Sequence, residues 1–319
     1  MKLRLTASVP HNTDDVRYVA GDIRIPVGND GWSVKVDGYH YEARPHDEAI
    51  QRLGFKRKIR TDRIGLGMSY PFLLNNRRSI SGTLGLYASN GKDRYSQSGA
   101  DNLLREDSRK RAATAEVRYL DVLQERSTDL SLGVSKGLDR VGARAKITSN
   151  YGYQATPATE LDFTRWNLSL RQAFTLPKQF GLVLSGAGQY SSAILHASEQ
   201  VAFGSWRFGM GYPQGEISGD KGLGLSAEIN RRFSIGYQYL AALQPYALLD
   251  YARTWYNNPA LKPLNPRHLS SLAFGLRMTE DKYYLFDFNV AKSASAPGVN
   301  GDNRGLRFNA NYSIFYDPL

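Results

Sequence analysis

The sequence predicts an all-β protein, a transmembrane antiparallel β-barrel of about 14–16 strands, on two main observations. Apolar and polar residues alternate with a period of two in many segments, each about ten residues long, which is the length of a tilted strand that crosses a bilayer. The connections between these segments alternate between short turns and long polar stretches. The 319-residue chain also contains 20 Tyr, 30 Gly and no Cys, a composition typical of strands and tight turns.

The mean hydropathy of -0.45 is compatible with a membrane location. In a barrel only alternate residues face lipid, while the others face a polar lumen, so the mean stays low. The least charged stretch, residues 180–198, contains too many Gly and Ser residues for a transmembrane helix.

The clearest predicted strand runs from Leu306 to Ile314. Its apolar residues alternate there with Arg307, Asn309 and Asn311. One such strand is equally compatible with a half-buried strand of a soluble protein. The same alternation recurs, however, in residues 66–72, 128–134, 166–176, 270–278 and 284–290.

The connections predict the orientation of the barrel. Short turns are expected at Leu74–Arg77 and Pro177–Gln179, and long polar loops at Gly91–Ser108 and Leu138–Glu160. Outer-membrane barrels have short periplasmic turns and long external loops. The sequence therefore predicts the outer membrane of a Gram-negative bacterium.

The charge pattern limits the kinds of binding partner that the sequence predicts. The net charge is +11, but the basic residues are scattered and no run is longer than Lys56–Lys58, so nucleic acid is not predicted. Outer-membrane lipid, including lipopolysaccharide, or an acidic client explains the charge equally well.

Catalytic and metal-binding patterns are lacking in the sequence. The five His residues have no ligand spacing with a carboxylate, and no phosphate-binding loop is present. The arrangement nearest to a hydrolase site is His196 beside Ser198 and Glu199, and sequence neighbours in a loop are usually solvated. We therefore predict no enzyme, no metal and no cofactor.

The Gly-rich segment from Glu199 to Asp220 is the part that resembles a strand least. Its motifs, with those that follow, resemble the signature of two-partner secretion transporters (TpsB, the haemolysin secretion/activation family). The matching residues are Phe208, Gly209, Met210, Gly211 and Tyr212, then Gly219, Asp220 and Gly222, and then Glu228 with Ile229.

The resemblance implies that this loop folds back into the lumen, where glycines let the backbone double back. In the family an Arg of the loop meets an Asp of the barrel wall. The matching carboxylate here is Asp250, with Glu228 as a second wall residue, and strand alternation predicts that Asp250 points inward. Met210 stands at the position of the family's Arg, so we hypothesise that Arg207 replaces it.

The resemblance also implies a function. The expected protein is an outer-membrane pore that exports an unfolded exoprotein of adhesin or haemolysin type without energy input. Residues 1–319 are expected to form one monomeric barrel domain, without the N-terminal POTRA domains and first strand or strands of the family. Two alternatives stay open: a passive porin, and a barrel that inserts other membrane proteins.

Overall fold

The computed structural model describes residues 2–8, 16–44, 54–97, 100–205, 208–265, 267–280, 283–295 and 305–314. Three short 3₁₀ segments lie at Pro177–Gln179, Ala197–Glu199 and Pro259–Leu264. The strands are β1 (Lys2–Ser8), β2 (Val16–Val27), β3 (Trp32–Ala43), β4 (Phe55–Leu74), β5 (Arg78–Gln97), β6 (Ala100–Val122), β7 (Arg126–Gly137), β8 (Arg144–Ser149), β9 (Gln154–Ala155), β10 (Thr164–Leu176), β11 (Phe180–Ser191), β12 (Val201–Phe203), β13 (Ile217–Gly219), β14 (Lys221–Arg231), β15 (Phe233–Tyr237), β16 (Leu240–Trp255), β17 (Arg267–Thr279), β18 (Tyr284–Ser293) and β19 (Leu306–Ile314).

One large antiparallel sheet contains almost all of these strands. The ladders run from β1 through β7 in chain order and continue through β10, β11, β14, β16, β17 and β18 to β19. This series has fourteen strands, in agreement with the predicted fold. β8 and β9 extend the sheet beside β6, and β15 continues β14 along β16.

The faces of the strands follow the predicted alternation. In β4, Ile64 and Leu66 are 61% and 56% exposed, whereas Ser69 is buried. In β16, Leu249 is exposed between the buried residues Leu248 and Asp250. The exposed apolar residues form the lipid-facing surface expected of a membrane barrel.

The short turns lie where they are predicted, at 75–77 and at Pro177–Gln179. The long loop predicted at Gly91–Ser108 is wrong, because β5 and β6 continue through this region as a ladder from Gly91↔Ser108 to Arg94↔Arg105. The loop predicted at Leu138–Glu160 is also partly wrong, since β8 pairs with β6. A strand that extends beyond lipid has water on both faces, so it lacks the apolar alternation that marks a membrane strand.

A small hairpin, β12 and β13, lies apart from the large sheet. It belongs to the connection between β11 and β14, at residues 192–220, which we call the lumen loop. The lumen loop contacts Tyr87 of β5 and Asn309 of β19, so the sheet curves around it. Among the described residues, no helix has the length and apolarity needed to cross a bilayer.

Candidate functional site

Backbone hydrogen bonds hold the tip of the lumen loop in a compact turn. The amide of Gly204 donates to the carbonyl of Phe208 at 2.9 Å, and that of Ser205 donates to the carbonyls of Gly209 and Tyr212 at 2.8 and 3.0 Å. Gly204 and Gly209 have φ angles of 128° and 92°, which favour glycine. The Gly content therefore serves the shape of the turn.

Asp250 of β16 binds the tip of the loop. Its carboxylate accepts hydrogen bonds from the backbone amides of Gly209 at 2.8 Å and Met210 at 3.1 Å. The hydroxyl of Ser271, on β17, donates to the same carboxylate at 2.6 Å. Ser271 Oγ also accepts from the amide of Gly211 at 3.1 Å. A buried carboxylate thus finds its donors in the loop backbone and a hydroxyl.

The residue at the family's Arg position, Met210, contributes its backbone amide rather than a cation. Its side chain is buried with Tyr246, Leu248, Ala273 and Ala291 of the barrel wall. Arg207, the hypothesised substitute, lies outside the described residues. The Arg207–Asp250 pair stays a hypothesis.

Close packing fixes the loop against β14 and β18. A Cβ atom at Gly211 would lie 2.6 Å from the backbone nitrogen of Ser293 in β18. A Cβ atom at Gly224 would lie 2.7 Å from Cγ of Phe208, and one at Gly222 would lie 2.6 Å from Cγ1 of Val201. Phe208 and Phe203 pack edge to face at 5.8 Å. Small residues in the wall therefore make room for large residues of the loop.

The predicted Gly219, Asp220 and Gly222 motif forms the base of the loop, where it enters β14. Both carboxylate oxygens of Asp220 accept backbone amides, from Leu195 at 2.8 Å and from Asn257 at 2.7 Å. A Cβ atom at Gly219 would lie 2.6 Å from the carbonyl oxygen of Trp255. Asp220 is fully buried and ties both ends of the loop to the connection after β16.

The first part of the lumen loop, around Glu199, binds the other side of the barrel. Glu199 is buried and accepts hydrogen bonds from Tyr87 Oη at 2.8 Å and from Arg165 Nη1 at 2.7 Å. Gln189 Nε2 donates to the carbonyl oxygen of Glu199 at 3.0 Å. The lumen loop therefore spans the interior from β5 and β10 to β16 and β17.

His196 and Ser198 reinforce this far contact. Nζ of Lys110, a buried residue of β6, lies 2.6 Å from Ser198 Oγ and 3.0 Å from His196 Nδ1. His196 Nε2 lies 3.4 Å from Glu106 Oε1. Glu199, the carboxylate that sequence reasoning grouped with His196 and Ser198, pairs with Arg165 instead. These groups join the loop to β5, β6 and β10.

Glu228, the second predicted wall residue, binds within the wall. Its carboxylate pairs with Nη1 and Nη2 of Arg277 at 2.6 and 2.7 Å. Arg277 Nε donates to Asp287 at 3.0 Å, and Tyr246 Oη donates to the same carboxylate at 2.7 Å. This network lines a cavity of about 930 Å³ that extends from Met210 to the short turn at Pro177–Gln179.

Several residues of the site escaped sequence reasoning. Ser271 lies in the predicted strand at residues 270–278, but its position opposite Asp250 depends on the register of β16 and β17. Glu199 was singled out only in the hydrolase pattern, and neither it nor Asp287 lies in a motif that would identify its partner. Among the described residues, no group of His, Asp and Glu is arranged to hold a metal ion.

Comparison with known proteins identifies a family and several similar structures. A profile of the family described as haemolysin secretion/activation protein ShlB/FhaC/HecB matches residues 2–278. CdiB from Escherichia coli is similar in structure, with a TM-score of 0.69, 16% identity, and coverage of 94% of this chain and 52% of that chain. CdiB from Acinetobacter baumannii gives a TM-score of 0.62, 18% identity and coverage of 94% and 50%. No curated protein matches the sequence.

A third similar structure is BamA from Haemophilus ducreyi lacking POTRA domains 1–3. Its TM-score is 0.60 with 13% identity, and the match covers 94% of this chain and 62% of that chain. The chain thus spans about half the length of the two CdiB chains. The resemblance to the family, the barrel fold and the outer-membrane location are confirmed. Because the profile matches residues 2–278 of the 319, the chain belongs to the ShlB/FhaC/HecB haemolysin secretion/activation family, whose members are Gram-negative outer-membrane β-barrel transporters and not enzymes.

Proposed function

We propose that this chain is the translocation pore for a secreted exoprotein of adhesin or haemolysin type, and that the lumen loop is its gate. The observation that carries the proposal is that the loop lies across the interior, bound to Asp250 on one side and to Arg165 on the other. A client that passes through the barrel must displace it.

The contacts of the loop suit a gate that opens and closes. The tip is held by two amide–carboxylate hydrogen bonds and by packing of Phe203 and Phe208 in the wall. Charge-assisted hydrogen bonds are strong while water is excluded, and water replaces them once the tip leaves. Release of the tip therefore frees a path without breaking the sheet.

In this proposal no energy source acts on the pore. The client enters unfolded and extended, and its folding outside the cell prevents its return. POTRA domains of the family would recognise the client before it enters the pore. The likeness to BamA is one of fold, and the occupied lumen favours translocation over a barrel that inserts other membrane proteins.

The charges of the lumen also favour a translocator over an anion-selective porin. Arg165 and Arg277, two basic residues that face the lumen, are each paired with a buried carboxylate. Basic side chains paired in this way have little preference for small anions.

Single-channel recording in planar bilayers tests the proposal. We expect the refolded chain to be mostly closed, and a variant with residues 204–216 replaced by a short Gly-Ser linker to form a wide, open pore. A reduced and carboxymethylated polypeptide should then block the current in transient steps. A variant with residues 138–143 replaced in the same way is the control and should stay closed.

Two outcomes would contradict the proposal. One is constitutive anion-selective conductance of the unmodified chain, which would favour the porin. The other is a loop-replaced pore that an unfolded polypeptide does not enter. Proteoliposomes that contain the unfolded polypeptide, without nucleotide or an ion gradient, test energy independence. The loop-replaced pore should still release the polypeptide from them.

A further inference from the structure

We propose that the outer surface of β4, β5, β6 and β8 binds the phosphate groups of lipopolysaccharide in the outer leaflet. The inference rests on the barrel fold and its place in the membrane, and it does not depend on the translocation proposal. The surface is called the basic patch. Its cations are Lys58, Arg60, Lys92, Arg94, Arg105, Arg109, Arg111, Arg144 and Lys146.

Register places these cations on the lipid side of the sheet. In β4 the patch residues Lys58 and Arg60 have the same parity as Ile64 and Leu66, which are exposed to lipid. The ladder pairs Lys58 with Arg94 and Arg60 with Lys92, so the β5 cations lie on the same face. The patch thus faces outward, away from the lumen.

The patch lies at the height of the lipid headgroups. The apolar band of β4 begins at Ile64, four residues after Arg60. This separation is about 13 Å along the strand, and the distance along the membrane normal is shorter because the strand is tilted. The short turns lie at the opposite end of these strands, and in outer-membrane barrels short turns are periplasmic. The patch is therefore next to the outer leaflet.

Neighbouring cations in the patch lack enough carboxylates to balance them. Like charges stand directly opposite in the pairs Lys58–Arg94, Arg60–Lys92, Arg94–Arg105 and Arg109–Arg144. Such pairs destabilise a sheet unless an anion bridges them. Among the side chains that the structure describes, Asp62 and Asp107 share this face and Glu42 of β3 adjoins it, so the nine cations named above meet three carboxylates and an excess of six positive charges remains.

A small cavity marks the centre of the patch. It has a volume of about 80 Å³ and is lined by Lys58, Arg60, Lys92, Arg94 and Glu42. Nε of Arg94 is buried there and has no hydrogen-bond partner among the described residues. Arg and Lys side chains that converge on one cavity suit a phosphate group, since guanidinium groups bind its oxygens in pairs. An acidic client inside the lumen would not meet this surface.

The test compares binding of two lipids to the purified full chain in detergent. The probes are hexa-acylated bisphosphorylated lipid A and the same lipid without its phosphates. The test variant is Lys92→Gln with Arg94→Gln. The matched control is Lys178→Gln with Lys262→Gln, which removes two exposed cations outside the patch. Heat-modifiable gel migration checks that both variants fold.

We expect the unmodified chain and the control to bind bisphosphorylated lipid A alike, and the patch variant to bind it at least about tenfold more weakly. The dephosphorylated lipid should bind weakly to all three proteins. Equal affinities of the two variants, or equal affinities for the two lipids, would overturn the proposal. So would displacement of lipid A by millimolar inorganic phosphate, or by polyglutamate, which would assign the patch to free phosphate or to an acidic polypeptide.

Discussion

Asp250 holds the tip of the lumen loop through donors that the wall alone does not supply. Two hydrogen bonds to its carboxylate come from the loop backbone, at Gly209 and Met210, and another comes from the hydroxyl of Ser271. A backbone amide is present whatever residue stands at position 210. The loss of the family's Arg is therefore compatible with retention of the loop in the lumen.

We predict that Asp250→Asn releases the tip of the loop. An amide can turn only one oxygen toward the donors, so at least one of the amides of Gly209 and Met210 loses its acceptor, at about 1–3 kcal/mol for a buried donor. In planar bilayers the open fraction of the pore should rise by about tenfold or more. Asp287→Asn is the matched control, because Asp287 is a buried wall carboxylate that binds wall residues. If the pore of the Asp287→Asn variant is open as often as that of the Asp250→Asn variant, Asp250 has no specific role in holding the loop.

At Glu228 a substitution should affect the wall rather than the loop. Glu228→Gln removes a bidentate pair with Arg277 that is largely buried, and Asp287 keeps only part of that cation's contacts. We predict a loss of about 2 kcal/mol in the free energy of unfolding. This is less than the cost of breaking an ion pair that is completely shielded from water, because the site borders a cavity. Urea unfolding in lipid vesicles measures the change.

A double-mutant cycle sharpens that measurement. In the Arg277→Met background, Glu228→Gln should cost much less than in the unmodified chain, because its main partner is absent. Equal costs in both backgrounds would mean that the pair contributes little to stability.

At the scale of elements, β14 is shaped by what packs on it. Gly222 and Gly224 leave space on the lumen side of the strand for Val201, Phe203 and Phe208 of the loop. Glycine weakens an isolated strand, so its presence here serves the packing of a second element.

We predict that Gly224→Val expels the hairpin β12–β13 without unfolding the barrel. The new Cβ would lie within 2.7 Å of the Phe208 ring, while valine suits a strand backbone. Protease accessibility of the lumen loop and channel opening should both increase. Gly188→Val is the control, since a Cβ at Gly188 meets its neighbours at ordinary distances of 3.9 and 4.0 Å.

If Gly224→Val leaves the loop protected from protease, the loop is held mainly by Asp250 at its tip and Asp220 at its base. If both variants expose the loop, the effect is a general loosening of the sheet. Only exposure in the Gly224 variant alone supports the packing role.

At the scale of the whole molecule, the net charge of +11 is divided between surfaces. In the lumen, Arg165 and Arg277 are matched by Glu199, Glu228 and Asp287. On the outer surface, the basic patch keeps an excess of positive charge. The net charge alone does not show which surface carries the excess of positive charge.

We therefore predict that the loop-replaced pore is only weakly ion-selective. Reversal potentials under a salt gradient should give a ratio of anion to cation permeability near one. The double variant Glu199→Gln with Glu228→Gln leaves Arg165 and Arg277 without these carboxylates and should shift the ratio toward anions. Strong anion selectivity before that substitution would favour the porin alternative.

The sequence by itself determined the strands, their two faces and the family. Period-two alternation is local, because each side chain of a strand points to the face opposite its neighbour's, so Leu249 and Asp250 could be assigned without a fold. The Gly-rich motif from Phe208 to Tyr212 was equally visible. The extension of β5 and β6 was missed, because polar strands in water carry no such period.

Only the tertiary structure decided which residues hold the loop. Tyr87 and Glu199 are 112 residues apart in sequence, and Met210 and Asn309 are 99 apart. Their contacts depend on how the whole sheet curves around the lumen, and no local pattern encodes that curvature. Strand alternation in the sequence placed Asp250 in the lumen, and the family resemblance suggested a cation as its partner. The fold instead brings the backbone amides of Gly209 and Met210 to its carboxylate, and this contact too depends on the curvature of the sheet.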